Sequence, residues 1–387
     1  EAVAGVVNII TRRSATPRGS IQVEAGGYEA LRAAAGMGGT WSEGTYRLEV
    51  SGTKLGGTSS ASDSYAGNVE EDGWSMWSGA LSARRPLLNG ALDATLRGSR
   101  SRFDMDDYGG PMGDDPNSLA WKADLAGTLQ WSSPAGGRWD HRVLLGGSRI
   151  HRWSADGSDD AHPDERSSSD YRGRVQTGEW HHTLDLSRHL LAFGFTATRE
   201  SGSSRYEMTS MGFTYADPLA EAHMWSTSAY LQDQVRLGGM VLTIGGRADR
   251  YADYGTRPTW RVAGTGRVGP AVIRASAGSG FRVPSLYQRN SPLYGNPDLR
   301  AERTMGWEVG VALRPSGRGR VELAHYRQDV EEMIDFVTRP RSHPATPTGA
   351  AWNCSAGNSR RTISSPLTWP FRAPGPRRRA RMTRASS

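Results

Sequence analysis

The sequence predicts an all-β fold of antiparallel strands, and three observations carry that expectation. Residues 14–338 repeat stretches of roughly ten residues in which apolar and polar side chains alternate, and clusters of Gly, Pro, Asp, Asn and Ser separate them. There are roughly fourteen to sixteen such stretches, the pattern of a β-barrel. No uninterrupted apolar run approaches the ~18 residues of a membrane helix. Trp and Tyr number 13 each, and Trp brackets the clearest stretch, residues 121–131, at both ends. On the residues alone, two architectures remain open: an antiparallel transmembrane β-barrel and a soluble β-sandwich.

The elements follow in order. Residues 1–13 form a short β-branched strand ending in Arg12 and Arg13. Tyr46, Leu48 and Val50 share one face of a strand, with Arg47, Glu49 and Ser51 on the other. Residues 121–131 show the division most cleanly. One face reads Trp121, Ala123, Leu125, Gly127, Leu129, Trp131; the other reads Lys122, Asp124, Ala126, Thr128, Gln130. Ten steps of ~3.3 Å, tilted by ~45°, project to ~23 Å. That matches the ~25 Å apolar band between the two aromatic girdles of an outer-membrane barrel. A sandwich strand also alternates, but seldom needs ten residues bracketed by indoles.

Further along, Gly264-Thr-Gly-Arg-Val-Gly269 matches the dinucleotide-binding pattern, which requires a helix after its last glycine. Pro270 and another alternating stretch follow instead, so a hairpin is expected. Val272, Arg274, Ser276 and Gly278 alternate up to Phe281, and Trp307, Val309, Val311 and Leu313 restart the period. Between them, Pro284 and Pro297 lack the N–H that a central strand donates. Gly295-Asn296-Pro297-Asp298 is turn chemistry, with Gly and Asn suited to positive φ. The expectation is strand, loop, strand.

Composition excludes several function classes. Residues 339–387 contain ten Arg and no Lys, Asp or Glu, so the net charge of +7 leaves −3 for the other 338 residues. The basic balance belongs to a tail and implies no nucleic-acid partner for the body. That tail has seven prolines, no alternation and the sole cysteine, Cys354, so the body holds no disulfide framework. It reads as frame-shifted sequence, or alternatively as a disordered basic segment. His181 and His182 are adjacent and point to opposite faces of a strand, while His141, His151 and His162 stand apart. No Cys-x-x-Cys, nucleophile elbow or phosphate loop appears in the body, so no enzymatic activity is expected.

Two loops are rich in acids. Asp104, Asp106, Asp107, Asp114 and Asp115 fall within residues 103–117, and Glu70, Glu71 and Asp72 lie in the preceding long loop. Clustered carboxylates repel and need water or a cation, and calcium takes six to eight oxygens in flexible geometry. A solvated acidic loop is the other reading. No further cofactor is expected.

The stretch Gly280-Phe281-Arg282-x-Pro284-Ser285-Leu286-Tyr287, followed by Tyr294-Gly295-Asn296-Pro297-Asp298-Leu299-x-x-Glu302-Arg303, closely resembles the barrel of TonB-dependent outer-membrane receptors. Residues 225–237 and 242–251 resemble adjacent mid-barrel strands of that family, and residues 1–13 resemble the last strand of its N-terminal plug. The resemblance implies a parent of 22 barrel strands, of which residues 14–338 are an incomplete set. It places the chain in the outer membrane of a Gram-negative bacterium, in contact with lipid. It implies TonB-energised uptake of a corrinoid such as cobalamin, or of a ferric siderophore, with the TonB-ExbB-ExbD complex acting through the plug. In the family's cobalamin-transporting branch, early acidic loops bind calcium, which points to Glu71, Asp72, Asp104, Asp106, Asp107, Asp114 and Asp115. A passive porin-like or adhesive barrel, and a non-functional remnant of an interrupted gene, are the alternatives.

Overall fold

Strand formation follows the alternation. The computed structural model describes residues 18–338, apart from 58–60, 63, 67, 107–112, 161 and 317–318, together with 352–356 and 361–364. Residues 1–17, and so the plug-like strand, lie outside the described residues, as does most of the basic tail.

The first seven strands are β1 (Arg18–Ala25), β2 (Leu31–Trp41), β3 (Gly44–Leu55), β4 (Trp74–Leu87), β5 (Gly90–Asp104), β6 (Leu119–Ala135) and β7 (Trp139–Asp156). The next six are β8 (Arg166–Leu186), β9 (His189–Ser210), β10 (Phe213–Leu237), β11 (Met240–Tyr251), β12 (Gly255–Val268) and β13 (Ala271–Arg282). A short helix, α1 (Leu286–Asn290), precedes β14 (Glu302–Ser316), β15 (Gly319–Glu331) and β16 (Ile334–Thr338). Two short strands fall in the basic segment: β17 (Trp352–Ala356), paired with β16, and β18 (Arg361–Ser364), paired with β15. Strands β1 to β15 pair antiparallel in chain order, and β18 completes an open sheet of 16 strands. An open sheet is what an incomplete barrel leaves.

The strands outrun the roughly ten-residue stretches that hydropathy marks. β8, β9 and β10 are 21, 22 and 25 residues long. Beyond the apolar part the outward positions become polar, so the hydropathy period fades while the backbone ladder continues.

Chain ends of the strands divide into two kinds. At one end β2–β3, β4–β5, β8–β9, β10–β11 and β12–β13 close in two-residue turns. Leu88 and Asn89 both take φ near +50° to +56°, and Gly269 takes +57°. Positive φ matches the twist of paired strands. The Gly269-Pro270 turn confirms the hairpin reading of the glycine pattern. At the other end lie the long connections, residues 56–73, 105–118, 157–165 and 283–301.

Register sorts the side chains. Leu129 lies opposite Leu145, Val143 opposite Trp180, and Trp180 opposite Phe195, all on one exposed face. The opposite face carries ion pairs. Arg47 Nε donates to Glu49 at 2.8 Å, Lys122 lies 3.4 Å from Asp124, and Arg274 Nε lies 3.0 Å from Glu308. Among the described residues the buried hydrophobic cluster holds only Leu299 and Ile334, with Tyr294 against it. A soluble sandwich would bury one sheet face against another. Here the apolar face stays uncovered, the arrangement of a transmembrane barrel and not of a sandwich.

Aromatic residues mark both margins of the apolar belt. Trp121 and Trp153 stack at 5.8 Å toward the long loops, and Trp139, Trp180 and Phe193 gather toward the short turns. Two histidines join the second group, which corrects the expectation that His141 stands apart. It sits directly opposite His182, with their Nδ1 atoms 2.9 Å apart. His181 points to the other face, toward Tyr230, as adjacency requires.

The two faces can be tested with neighbouring leucines. Leu145 is outward and 59% exposed, whereas Leu144 pairs with Gln130 and Glu179 on the ion-paired face. Leu145→Arg is expected to cost about 2–4 kcal/mol in vesicle-refolded protein, and Leu144→Arg well under half of that. Equal losses in urea titration would contradict the assignment of faces.

Candidate functional site

The segment joining β13 to β14 is a folded unit at the long-loop end. Phe281 is buried and meets Tyr251 edge-on at 6.0 Å, and Pro284 is fully buried. Gly280 lies opposite Thr304, whose Oγ1 would stand 2.8 Å from a Cβ at residue 280. The helix α1 was not foreseen by the strand, loop, strand expectation. Its signal is a capping box: Ser285 Oγ accepts from Gln288 N at 3.2 Å, and Gln288 Oε1 accepts from Ser285 N at 3.0 Å.

After the helix the chain folds back on itself. Gly295 N donates to Ser291 O at 2.9 Å, and Asn296 N donates to Gln288 O at 2.8 Å. Asn296 Oδ1 accepts from Asp298 N at 2.9 Å and turns the chain through Pro297. The expected turn forms, but neither Gly295 nor Asn296 takes positive φ in it. Gly295 is instead required by close approach, since a Cβ there would stand 2.4 Å from Ser291 O. Tyr294 accepts a short hydrogen bond from Tyr215 of β10.

Two buried carboxylates fasten this unit. Asp217 of β10, only 1% exposed, accepts from Tyr287 Oη at 2.7 Å, from Ser291 Oγ at 2.9 Å and from Leu293 N at 3.3 Å. Burial, and then the bond to Asp217, push the Tyr287 phenol well above its ordinary range. Glu302 takes a two-pronged contact from Arg282, at 2.7 and 2.6 Å, and a third bond from Ile334 N at 2.7 Å. Asp217 escaped the sequence reading. Its position before Pro218 inside a strand was the available signal, because proline marks a break in the ladder.

The acidic loops pack against each other beside β4 and β5. Asp106 accepts from Ala61 N at 2.6 Å, Asp114 from Glu70 N at 2.6 Å, and Asp104 from Gly73 N at 3.1 Å. Asn68 Oδ1 accepts from Gly113 N at 2.9 Å, joining loop to loop. Asp115 is buried, Asp72 is half-buried and Glu71 is exposed; Asp107 lies outside the described residues. Glu70 feels this crowding most. Burial, then Asp72, Asp106, Asp114 and Asp104, raise its carboxyl from 4.5 to about 7. Among the described residues no three such groups already stand in metal-holding geometry.

The molecule is a single-layer antiparallel sheet with an exposed apolar belt on one face, ion pairs on the other and loops of two kinds. The family model described as "TonB dependent receptor-like, beta-barrel" matches residues 32–363. The chain belongs to the TonB-dependent receptor family. Curated members similar to it include "Vitamin B12 transporter BtuB" of Vibrio vulnificus, 28% identical over 152 residues. Another is "Iron-regulated outer membrane virulence protein" of Vibrio cholerae, 25% identical over 165 residues. The alignments take in 38% and 40% of this chain, and 24% of either relative.

Solved structures similar to the chain share the fold. "Copper transporter OprC" superposes with a TM-score of 0.70 over 91% of this chain and 60% of its own, at 14% identity. A ferric enterobactin receptor (PfeA) mutant from Pseudomonas aeruginosa gives 0.70 over 94% and 61%, at 17% identity. The chain therefore spans about a quarter of the curated relatives it matches and three fifths of the solved receptors.

Proposed function

We propose that this chain is part of an outer-membrane receptor that captures a scarce, bulky nutrient in its long loops. The nutrient then passes inward when the TonB-ExbB-ExbD complex, drawing on the inner-membrane proton gradient, remodels a plug. The carrying observation is the uncovered apolar belt below a long-loop end organised by Asp217 and Glu302. No bond is broken, so capture and gated passage are the whole mechanism. A corrinoid or a ferric siderophore is the substrate class, and the acidic early loops favour the corrinoid.

The test uses a Gram-negative host carrying the receptor's complete coding region, supplied with labelled cobalamin or ferric siderophore. Uptake of one substrate that stops on adding a protonophore is the expected result. Uptake that survives the protonophore marks a passive porin-like barrel, and surface attachment without uptake marks an adhesin.

The loop acids are proposed as a structural calcium site, drawn from Asp104, Asp106, Asp107, Asp114, Asp115, Glu71 and Asp72. Glu70 makes the proposal pH-specific. Its folded pKa stands above its unfolded value, so without a cation the folded loops bind the extra proton. Stability then falls as pH rises from 4.5, and the loss is complete above about 7. Calcium offsets the loss where the acids are ionised. Calcium should thus protect residues 56–118 from protease strongly at pH 8 and little at pH 5. Protection unaffected by EGTA at pH 8 would rule the site out.

A further inference from the structure

At the short-turn margin of the belt, two imidazoles face each other across the β7–β8 ladder. His141 and His182 are register partners on the outward face, and their Nδ1 atoms stand 2.9 Å apart. The pair lies between Trp139, the first residue of β7, and Trp180 of β8. It therefore sits in the aromatic girdle, where water meets the apolar band. His141 is half-buried and His182 is 3% exposed.

Both rings are held from several sides. His141 stacks on Trp139, with centroids 5.0 Å apart and planes at 29°. His182 stacks on Phe193 at 4.8 Å and 12°, and meets Trp180 edge-on at 4.6 Å. Such packing fixes where the ring nitrogens stand before any ligand arrives.

The hydrogen bonding of this pair is overcommitted. Trp139 Nε1 is a donor only, and it lies 3.2 Å from His182 Nδ1. His182 Nδ1 must therefore present its lone pair, which puts that ring's hydrogen on Nε2. His141 Nδ1 then donates as well, so one lone pair serves two N–H donors. A cation held by both nitrogens uses two lone pairs instead. His141 shifts its hydrogen from Nδ1 to Nε2, stays neutral and releases no net proton.

The separation selects the ion. Imidazole nitrogens bind zinc-sized dications at about 2.0–2.1 Å, so nitrogens 2.9 Å apart subtend ~90° at the metal. Tetrahedral zinc needs a wider angle. Adjacent corners of a square plane meet at a right angle, the geometry of copper(II) and nickel(II), and copper(II) binds nitrogen the more tightly of the two. We propose that His141 and His182 form a copper(II) site, with the Nδ1 atoms at adjacent corners of the square and water at the others. The site rests on the register of β7 and β8, and is independent of which nutrient the long loops capture.

The chain is refolded into neutral micelles with Cys354 alkylated, and one equivalent of copper(II) chloride is added. Electron paramagnetic resonance counts the bound nitrogens, and competition with free glycine gives the affinity. The parent is expected to hold one copper(II) ion with two imidazole nitrogens. Loss of a partner that merely supports a metal ligand costs about 10–100-fold, so H141Q, which removes a ligand, should weaken binding about tenfold or more. H151Q, at the opposite margin, should leave the affinity within about twofold. W139F keeps both imidazoles and the ring stack but frees the His182 lone pair, so it should bind copper(II) about threefold more tightly. A nitrogen count other than two, H141Q binding like the parent, equal weakening by H151Q, or W139F binding no more tightly would each overturn the site. If H141Q does not refold, the nitrogen count and W139F decide.

Discussion

Asp217→Ala should release the whole β13–β14 connection. The carboxylate is 1% exposed and receives three hydrogen bonds, from Tyr287, Ser291 and Leu293, so its loss strands three donors at a buried point. Hydrogen bonds to a charged group contribute ~1.5–3 kcal/mol each, and orphaned donors add a desolvation cost. A local destabilisation of about 3 kcal/mol or more is expected, enough to populate an open loop. Amide exchange across residues 283–301 should accelerate by about a hundredfold, with the belt strands unchanged. Asp217→Asn keeps the shape and one acceptor, so it should fall between. Uniform acceleration through β5 to β8 would show instead that Asp217 supports the sheet as a whole.

Glu302→Ala carries the second large effect. Glu302 ties the end of β13, through Arg282, to the amide of Ile334 at the start of β16. Glu302 is 8% exposed but Arg282 is 41% exposed and regains water, so the loss of Glu302 is set chiefly by its charged hydrogen bond to the Ile334 amide, about 1.5–3 kcal/mol. The Ile334 amide should become freely exchanging. Arg282→Ala should do the same by leaving Glu302 uncompensated. The double variant R282A/E302A should cost less than the sum of the two, the signature of a coupled pair. Additive losses would mean that the two residues act independently.

These two carboxylates differ in how far the sequence disclosed them. Glu302 stood in the motif that pointed to the family, whereas Asp217 lies 70 residues before its partner Tyr287. Nothing local marks such a pairing except a proline one residue later. The glycine at 295 shows the converse, since its place in a turn was legible but its reason was not. Positive φ is a local property; the approach of Ser291 O is not. The acidic loops were legible as a cluster, yet which acids touch which amides depends on two loops folding against each other. His141 and His182 are separated by 41 positions and brought together only by the register of β7 and β8.

By itself the sequence determined the class of the fold. Period-two alternation, indoles at both margins and turn residues between them fix an antiparallel sheet with one apolar face, because those signals act within a strand and its nearest turn. The motif wording at residues 280–303 fixed the family. Only the tertiary structure decided how far each strand runs past the apolar belt, which carboxylates are buried, and which histidines stand opposed. Those are properties of register and of contacts between distant segments. Ladder hydrogen bonds persist where hydropathy no longer alternates, and burial is set by what packs above a residue and not by its neighbours in the chain.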